Sequence, residues 1–476
     1  MKVKIQIIIE SDNDTAPVIQ EIAQFERKSL QAENLGISLT EAKALLRNTQ
    51  EELVHQQISE YERQHSKCLQ CGSKLRHKDR RKITYRTVFS KLKIPAARLF
   101  NCQCIEQKSR SFSPLVNLLT SRTSPELLYL ESKFASLVSY GLTVDFLEEL
   151  LPVGGEISTT AVRNNLHISA KRFEDELGEE KRVYIEGCQR DWDKLPQPDL
   201  PLVVGMDGGY VRFYNKKSNT KGNFEVIVGK SIKNDKTAKL FGGVYKYDTK
   251  PQRRLFNVLE AQGMQMNQQV TFLSDGDEKL RELMFGLNPN TEYLLDWFHM
   301  TMRLTVLNQM SKGICKKTLS LETDIPSELE RIKWYLWHGN VFRALQILKE
   351  QVDDLEMVIF EGNKPSEVKK LFRAMRDFET YIYRNEAYIP NFGERWRNNE
   401  AISTGFVEST VNRVISKRFV KKQQMRWTQV GAHLLLQMRI LVLNEELAHQ
   451  FQQWYPGLKL DQKSNNKTPQ PVFISG

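Results

Sequence analysis

A carboxylate in the middle of an apolar strand calls for an explanation. LVVGMDGGYVRFY, Leu202 to Tyr214, reads as a strand from its branched and aromatic residues, and Asp207 lies at its centre. A buried, unpaired carboxylate costs several kcal/mol or takes up a proton, so Asp207 is expected to meet a metal or a partner. Asp275 ends a second strand, QQVTFLSDG, where the chain turns into a helix. The carboxyl ends of strands are where α/β sheets place their sites, although an Asx turn or a helix cap would also put an Asp there. Glu408 is the sole acid among seven Lys/Arg between Gly405 and Ile440, and Asn412 follows it by four residues on the same helical face. Three oxygen donors suit hard ions, so two Mg2+ or Mn2+ are expected between carboxylates that would otherwise repel. The chemistry such a set serves is in-line phosphoryl transfer without a covalent enzyme intermediate.

Four of the six cysteines form a second constellation. Cys68 and Cys71 are a C-x2-C knuckle, and Cys102 and Cys104 a C-x-C knuckle thirty residues later, with a β-rich stretch between them. That describes a zinc ribbon holding one structural Zn2+, since four thiolates close a tetrahedral shell and leave no open position. Cys188 and Cys315 stand alone and are expected to be plain buried residues.

Charge points to a polyanion. The 476 residues carry a formal net charge of +11, with 40% hydrophobic and 27% charged residues. Lys74 to Arg98 holds ten Lys/Arg against one acid, and the Gly405–Ile440 segment seven against one. Two such stretches suit phosphate-contacting surfaces better than an even solubilising coat. The expected DNA contacts are Arg80, Arg81, Lys82 and Arg86 in the first. In the second they are Arg413, Lys417, Arg418, Lys421, Lys422 and Arg426, with Trp427 available to stack on a base. No apolar run is long enough for a transmembrane helix, and MKVKIQIIIESDND lacks a signal-peptide pattern, so a cytoplasmic protein is expected.

These residues need elements to carry them. Residues 1–65 read as a strand, Lys2 to Glu10, followed by helices, one from Leu39 to Tyr61 with Thr40 as its cap. Residues 66–120 hold the ribbon. Residues 121–190 read as helices: Ser124-Pro125 to Tyr140, stopped by Gly141; Thr143 to Leu151; and a third from about Ser158. The Gly-containing turn before the third suggests a helix-turn-helix, with Arg163, Asn164 and Asn165 placed to reach base edges. The Pro- and Asp-rich segment Asp191 to Pro201 is a boundary. Residues 200–300 then give three strands, a helix, and strand–helix–strand, the order of an RNase H-like α/β core. Residues 301–400 read as an all-α insertion, 401–445 as the last part of the core with Glu408, and 446–476 as a tail.

MDGGYVR, LSDGDEKLRE, LLDWFH and GFVESTVNRVISKR with a following MRW occur in that order. Together they resemble the signature segments of insertion-sequence DDE transposases of the ISKra type, more loosely those of Mutator-like transposases, from the ribbon to about Leu443. The resemblance implies that Asp207, Asp275 and Glu408 are the catalytic triad and that Asp296 and His299 form a D-x-x-H element. It also implies double-stranded DNA, element ends and target, as partner, a homodimer or higher oligomer on that DNA, and a place on the bacterial nucleoid. A nuclease or resolvase of the same core that cuts without joining, and an inactive domesticated DNA-binding protein, are the alternatives; the latter would be expected to have lost a carboxylate.

Overall fold

The computed structural model describes residues 1–10, 17–29, 31–104, 110–155, 157–198, 201–215, 218–233, 237–314, 324–360, 365–420 and 426–460. The architecture is mixed α/β: among the described residues there are three sheets, one of them five-stranded and mixed, with many helices. The chain divides into two units, Met1–Lys171 together with the chain from Glu445, and Arg172–Asn444. Lys421, Lys422 and Cys315 lie outside the described residues.

The first unit opens with β1 (Lys2–Ile9) and β2 (Val18–Glu26), an antiparallel pair. A strand stands where helices were expected, because Val18, Ile19, Ile22 and Phe25 suit an extended, half-covered surface. The helix α1 (Leu39–Gln64) is capped by Ser38 rather than Thr40: Ser38 and Glu41 form a reciprocal capping box. β3 (His77–Arg86) and β4 (Lys91–Phe100) form a hairpin, extended by the short β5 (Ser111–Phe112). Leu92, Ile94 and Ala96 pack with Ile58 and Leu115 into a small core. Three helices follow, α2 (Pro125–Leu137), α3 (Tyr140–Leu150) and α4 (Thr159–Glu176). The first ends before Tyr140 because Ser139 caps α3, accepting from Leu142 N at 3.2 Å, so Gly141 lies inside a helix instead of stopping one. Leu447–Trp454 is a helix whose Phe451 meets Tyr129 edge-on at 5.5 Å.

The second unit is built on five strands in the order β10-β9-β6-β7-β8. These are β6 (Leu202–Asn215), β7 (Thr220–Ile232), β8 (Ala238–Val244), β9 (Val270–Ser274) and β10 (Thr291–Leu295). β9 runs parallel to β6 and β10 to β9, while β7 is antiparallel to both β6 and β8. Strand alternation sends Leu202, Val204 and Met206 to one face, where Leu255 and Leu259 of α5 (Pro251–Ala261) cover them. Gly205, Asp207 and Gly209 share the other face. After β9 comes the single turn α6 (Glu278–Glu282), and after β10 α7 (Trp297–Lys312). The helices α8 (Ile325–Trp337), α9 (Val341–Phe360) and α10 (Ser366–Arg384) pack with α7 around a separate apolar core that includes Leu304, Ile332, Leu348 and Phe378. The chain then returns to the sheet as α11 (Gly405–Val411), a π-helical stretch Asn412–Val420, and α12 (Gln429–Leu443).

Candidate functional site

The β6 glycines decide where α11 lies. A Cβ at Gly205 would collide with Val407 and stand 2.8 Å from Phe406 Cζ; one at Gly209 would stand 2.7 Å from Ile415 Cδ1. The missing side chains thus admit α11 and its π-helical continuation onto the strand. A Cβ at Gly208 would stand 2.9 Å from Glu225 Oε1. The space the glycines leave is filled by protein, not held open for a phosphate. Val407 and Val411, one turn apart, cover Gly205 and Gly209 and so bracket Asp207 between them.

Asp207 is half-buried and accepts from the amide of Gly208 at 2.7 Å. Burial lifts its carboxyl above the ordinary range; the Gly208 amide and His299 pull it down, and the charges of Asp275 and Asp296 push it up. Asp275 follows β9 and gives one oxygen to the amide of Asp277, 3.1 Å away, while Asp277 is the actual cap of α6. Among the described residues neither Asp207 nor Asp275 is ion-paired with a Lys or Arg. Two neighbouring carboxylates on adjoining strands without a Lys or Arg partner make a donor set that fits a hard divalent ion.

Asp296, by contrast, is fully committed. It is 0% exposed and caps α7 through Phe298 N at 3.0 Å. It also accepts from His299 Nδ1 at 2.5 Å, from Thr404 N at 2.9 Å and from the Thr404 hydroxyl. Trp297 N adds a bond to Ile402 O, 3.1 Å. One buried carboxylate thus ties the end of β10, the His299 ring and the residue preceding α11. Burial disfavours a charged His299, but the Asp296 bond and the charges of Asp296, Asp207 and Asp275 outweigh it and raise the imidazole above its usual range.

Glu408 lies on α11 beside Val407 and is exposed. No hydrogen bond or ion pair joins it to the aspartates, and the Asp207–Asp275–Glu408 set is not among the groups whose ligand atoms all lie within 4.8 Å of one another. A pair of ions about 3.5–4 Å apart needs a wider set than a single ion does. Glu400 is engaged by Arg395 at 2.8 Å, and Glu394 lies in the first turn of the helix Phe392–Arg397, its amide donating to the capping Asn391 Oδ1 at 3.1 Å. Asn412 is exposed at the start of the π-helical stretch.

The expected DNA contacts divide. Arg413, Lys417 and Arg426 are exposed, Arg426 lying over the Tyr214 ring at 4.4 Å. Arg418 and Trp427 are interior, at 0% and 4% exposure: Trp427 Nε1 donates to Phe419 O, and the Arg418 guanidinium lies 5.3 Å from the indole. Neither side chain is at the surface: Arg418 lies within the π-helical stretch, and Trp427, beyond it, forms a β-bridge with Phe213. In the first unit Arg81 and Lys82 are exposed, Arg80 is exposed beside Glu62 at 3.6 Å, and Arg86 is half-buried. Arg163 and Asn164 are exposed on α4, but Asn165 turns inward and donates to buried Glu131 at 2.6 Å, so it does not reach outward.

The four cysteines converge. Sγ atoms of Cys68 and Cys104, and of Cys71 and Cys102, are 3.4 Å apart, and all four lie within 4.8 Å. Zn–S bonds of about 2.3 Å place the sulfurs of a tetrahedron about 3.8 Å apart, so the cluster fits such an ion. Gly72, at φ +71°, makes the knuckle turn, and the amides of Cys71 and Gln70 lower the Cys68 thiol below its usual range. Cys71 is held at about 6 by the Ser73 hydroxyl and amide and by Cys102. Cys188, expected to be buried, is exposed, 3.1 Å from Asp191 Oδ2.

Two features had no signal in the sequence. Glu174, Asp248 and His433 also have metal-ligand spacing, but Arg254 sits among them, bonded to both carboxylates and to Gln437. Burial would raise Glu174, yet His433 and Arg254 hold it at about 2. The guanidinium already supplies the cation. Tyr381, on α10, keeps a buried hydroxyl without a hydrogen-bond partner, in electrostatic reach of Asp275 and Asp296, with Arg303 over its ring at 4.1 Å.

No protein-family model matches this chain, and no curated protein matches it. Among the described residues no helix is long and apolar enough to cross a membrane.

Proposed function

We propose that the protein is a DNA transposase with an RNase H-like core, of the ISKra-like insertion-sequence type, that cleaves element ends and joins them to target DNA. The observation that carries this reading is Asp275 at the end of β9 and Asp207 on the adjoining strand β6, neither ion-paired with a Lys or Arg among the described residues, with the Glu408 helix packed on the Asp207 strand. The order of strands and helices in the second unit and the exposed cations after Glu408 support it.

Asp207, Asp275 and Glu408 would hold two Mg2+ or Mn2+. When bound, such ions neutralise developing charge and ease deprotonation of the attacking hydroxyl. The chain's own residues do the rest. Asp296 fixes His299 through Nδ1, leaving Nε2 to donate to a phosphate oxygen. Arg413, Lys417 and Arg426 hold flanking phosphates in register. Water attacks the phosphodiester at the element end, and the 3′-oxygen leaves with a proton. That 3′-hydroxyl then attacks a target phosphodiester, forming one P–O bond as another breaks. One Zn2+ on Cys68, Cys71, Cys102 and Cys104 would staple the β3–β5 module. The exposed α4 residues Arg163 and Asn164 would serve a helix-turn-helix-like contact, and joining two ends would need at least two subunits.

The test is cleavage and joining of DNA carrying the element ends, with Mg2+ or Mn2+. Asp207→Ala, Asp275→Ala and Glu408→Ala are each expected to abolish both steps and keep DNA binding. Cutting without joining by the wild type would favour a nuclease, and full activity in Glu408→Ala would remove that residue from the site.

A further inference from the structure

The first unit contains a cavity of about 380 Å3 between one face of the β3–β4 hairpin and the segment from Ser113 to Arg122. Among the described residues its charged lining is Arg81, Arg98 and Arg122, with no acid. Arg98 is fixed by Asp79 at 3.3 Å and by the Ser111 hydroxyl at 3.0 Å, which offsets part of its charge. Arg81 and Arg122 are exposed and have no acid partner among the described residues. Ser113, also in the lining, has a buried Oγ without a hydrogen-bond partner. A buried hydroxyl left unmade costs roughly 1–3 kcal/mol, a cost that an acceptor brought by a ligand would relieve. The remaining wall is apolar, from Ile83, Ala96, Leu115 and Leu119.

Guanidinium groups are matched in geometry and charge to phosphate oxygens, and a hydroxyl adds a donor. An apolar wall gains nothing from a bare, fully hydrated ion but buries the carbon face of a sugar. The volume is near the lower end of ligand sites, about 300–1,000 Å3, which suits one nucleotide unit. We infer that this cavity binds a phosphate ester of a nucleotide unit, gripped by Arg81 and Arg122 with Ser113 as donor. That the ester belongs to a DNA duplex, held away from the cut, rests on the proposed function; the phosphate chemistry itself does not.

The experiment uses the full-length, zinc-loaded protein. A fluorescein-labelled DNA duplex, a deoxynucleoside monophosphate and inorganic phosphate are titrated separately, reading anisotropy for the duplex and Tm for the others. The variants are Arg81→Ala combined with Arg122→Ala, Ser113→Ala, and Lys93→Ala, which removes one exposed charge from the opposite face of β4. The double variant is expected to weaken duplex binding about 10-fold or more and to lower the salt slope by about 2. Ser113→Ala is expected to lose about 3-fold with no fall in Tm, since it removes an unmade bond. If the monophosphate raises the Tm of the wild type alone while the duplex does not bind, the phosphate-ester site stands and its source is a free nucleotide. A loss per charge no greater than that of Lys93→Ala, or no effect of either cavity variant on any probe, overturns the inference. Metal-dependent cleavage tested in the same preparations separates the two readings: it fails with the Asp207 variant if the proposed function holds, whatever the cavity variants do.

Discussion

Asp207 and Asp296 are the same residue type on adjacent parts of one sheet, and their surroundings give them opposite roles. Asp296 is saturated by four donors and can only position others. Asp207 keeps free acceptor capacity beside a second carboxylate. The sequence shows both as acids beside apolar strand residues but cannot distinguish them, because two of the four donors to Asp296 come from Thr404, 108 residues away. Glu131, in the first unit, is a buried acid that carries a testable pH dependence. Burial pushes its carboxyl up to about 7, against the hydrogen bond from Asn165 and the charge of Arg86. A raised folded-state value means the fold holds this proton more tightly than the unfolded chain does. That contribution is complete below about 4.5 and is lost as pH rises through about 7, worth on the order of 3 kcal/mol. Glu131→Gln should therefore gain Tm relative to the wild type on going from about pH 5 to about pH 8, measured by calorimetry. A pH-independent difference would show that Glu131 is not the titrating group.

At the scale of elements, the strands of the second unit were readable because their apolar runs are long and bounded by turn residues. The β2 strand was not, since VIQEIAQFE fits a helix or a strand until a partner strand fixes it. The π-helical stretch after α11 was equally hidden. Arg439, on α12, donates to the carbonyls of Arg413 and Val414, and that distant side chain satisfies backbone groups of the widened turn. Arg418 lies within that stretch and is buried, which a regular helical wheel could not anticipate, and Trp427 is buried where it bridges Phe213 of β6. The contact between β6 and α11 gives the sharpest prediction here. Gly205→Ala would push a Cβ against Val407 and Phe406, at an overpacking cost of roughly 1–3 kcal/mol. The strain should be relieved by displacing α11, and Glu408 with it. Metal-dependent cleavage is expected to fall about 100-fold, since a shift of about 1 Å in a catalytic group can cost that much. DNA binding should remain within about 3-fold, because the exposed cations follow α11 and are not part of the contact. Retention of full cleavage would show that α11 does not set the geometry of the site.

Across the whole molecule, the division of labour follows from core size. The described residues of the second unit include one apolar core beneath the sheet and another among α7–α10. Among the described residues the β3–β5 module places Leu92, Ile94 and Ala96 in a small core with Ile58 of α1 and Leu115. Cysteine spacing alone revealed this module, because four ligands on two knuckles leave a pattern that packing does not. The arginine cavity beside it left none, since its lining is drawn from strands and a distant segment. A module with so little core should depend on its metal. Structural zinc contributes about 10–16 kcal/mol in small finger peptides, comparable to the whole stability of a typical domain, about 5–15 kcal/mol. The purified protein is therefore expected to contain one zinc per chain, and Cys71→Ser to lose it. Stripping the ion with a chelator should speed amide exchange across His77–Phe100 by orders of magnitude while Val270–Ser274 stays protected. Cobalt substituted into the site should give the intense absorption of tetrahedral thiolate coordination. A metal-free protein with a fully protected β3–β4 hairpin would mean that the fold holds the thiols together unaided, and the four-cysteine site would lose its structural role.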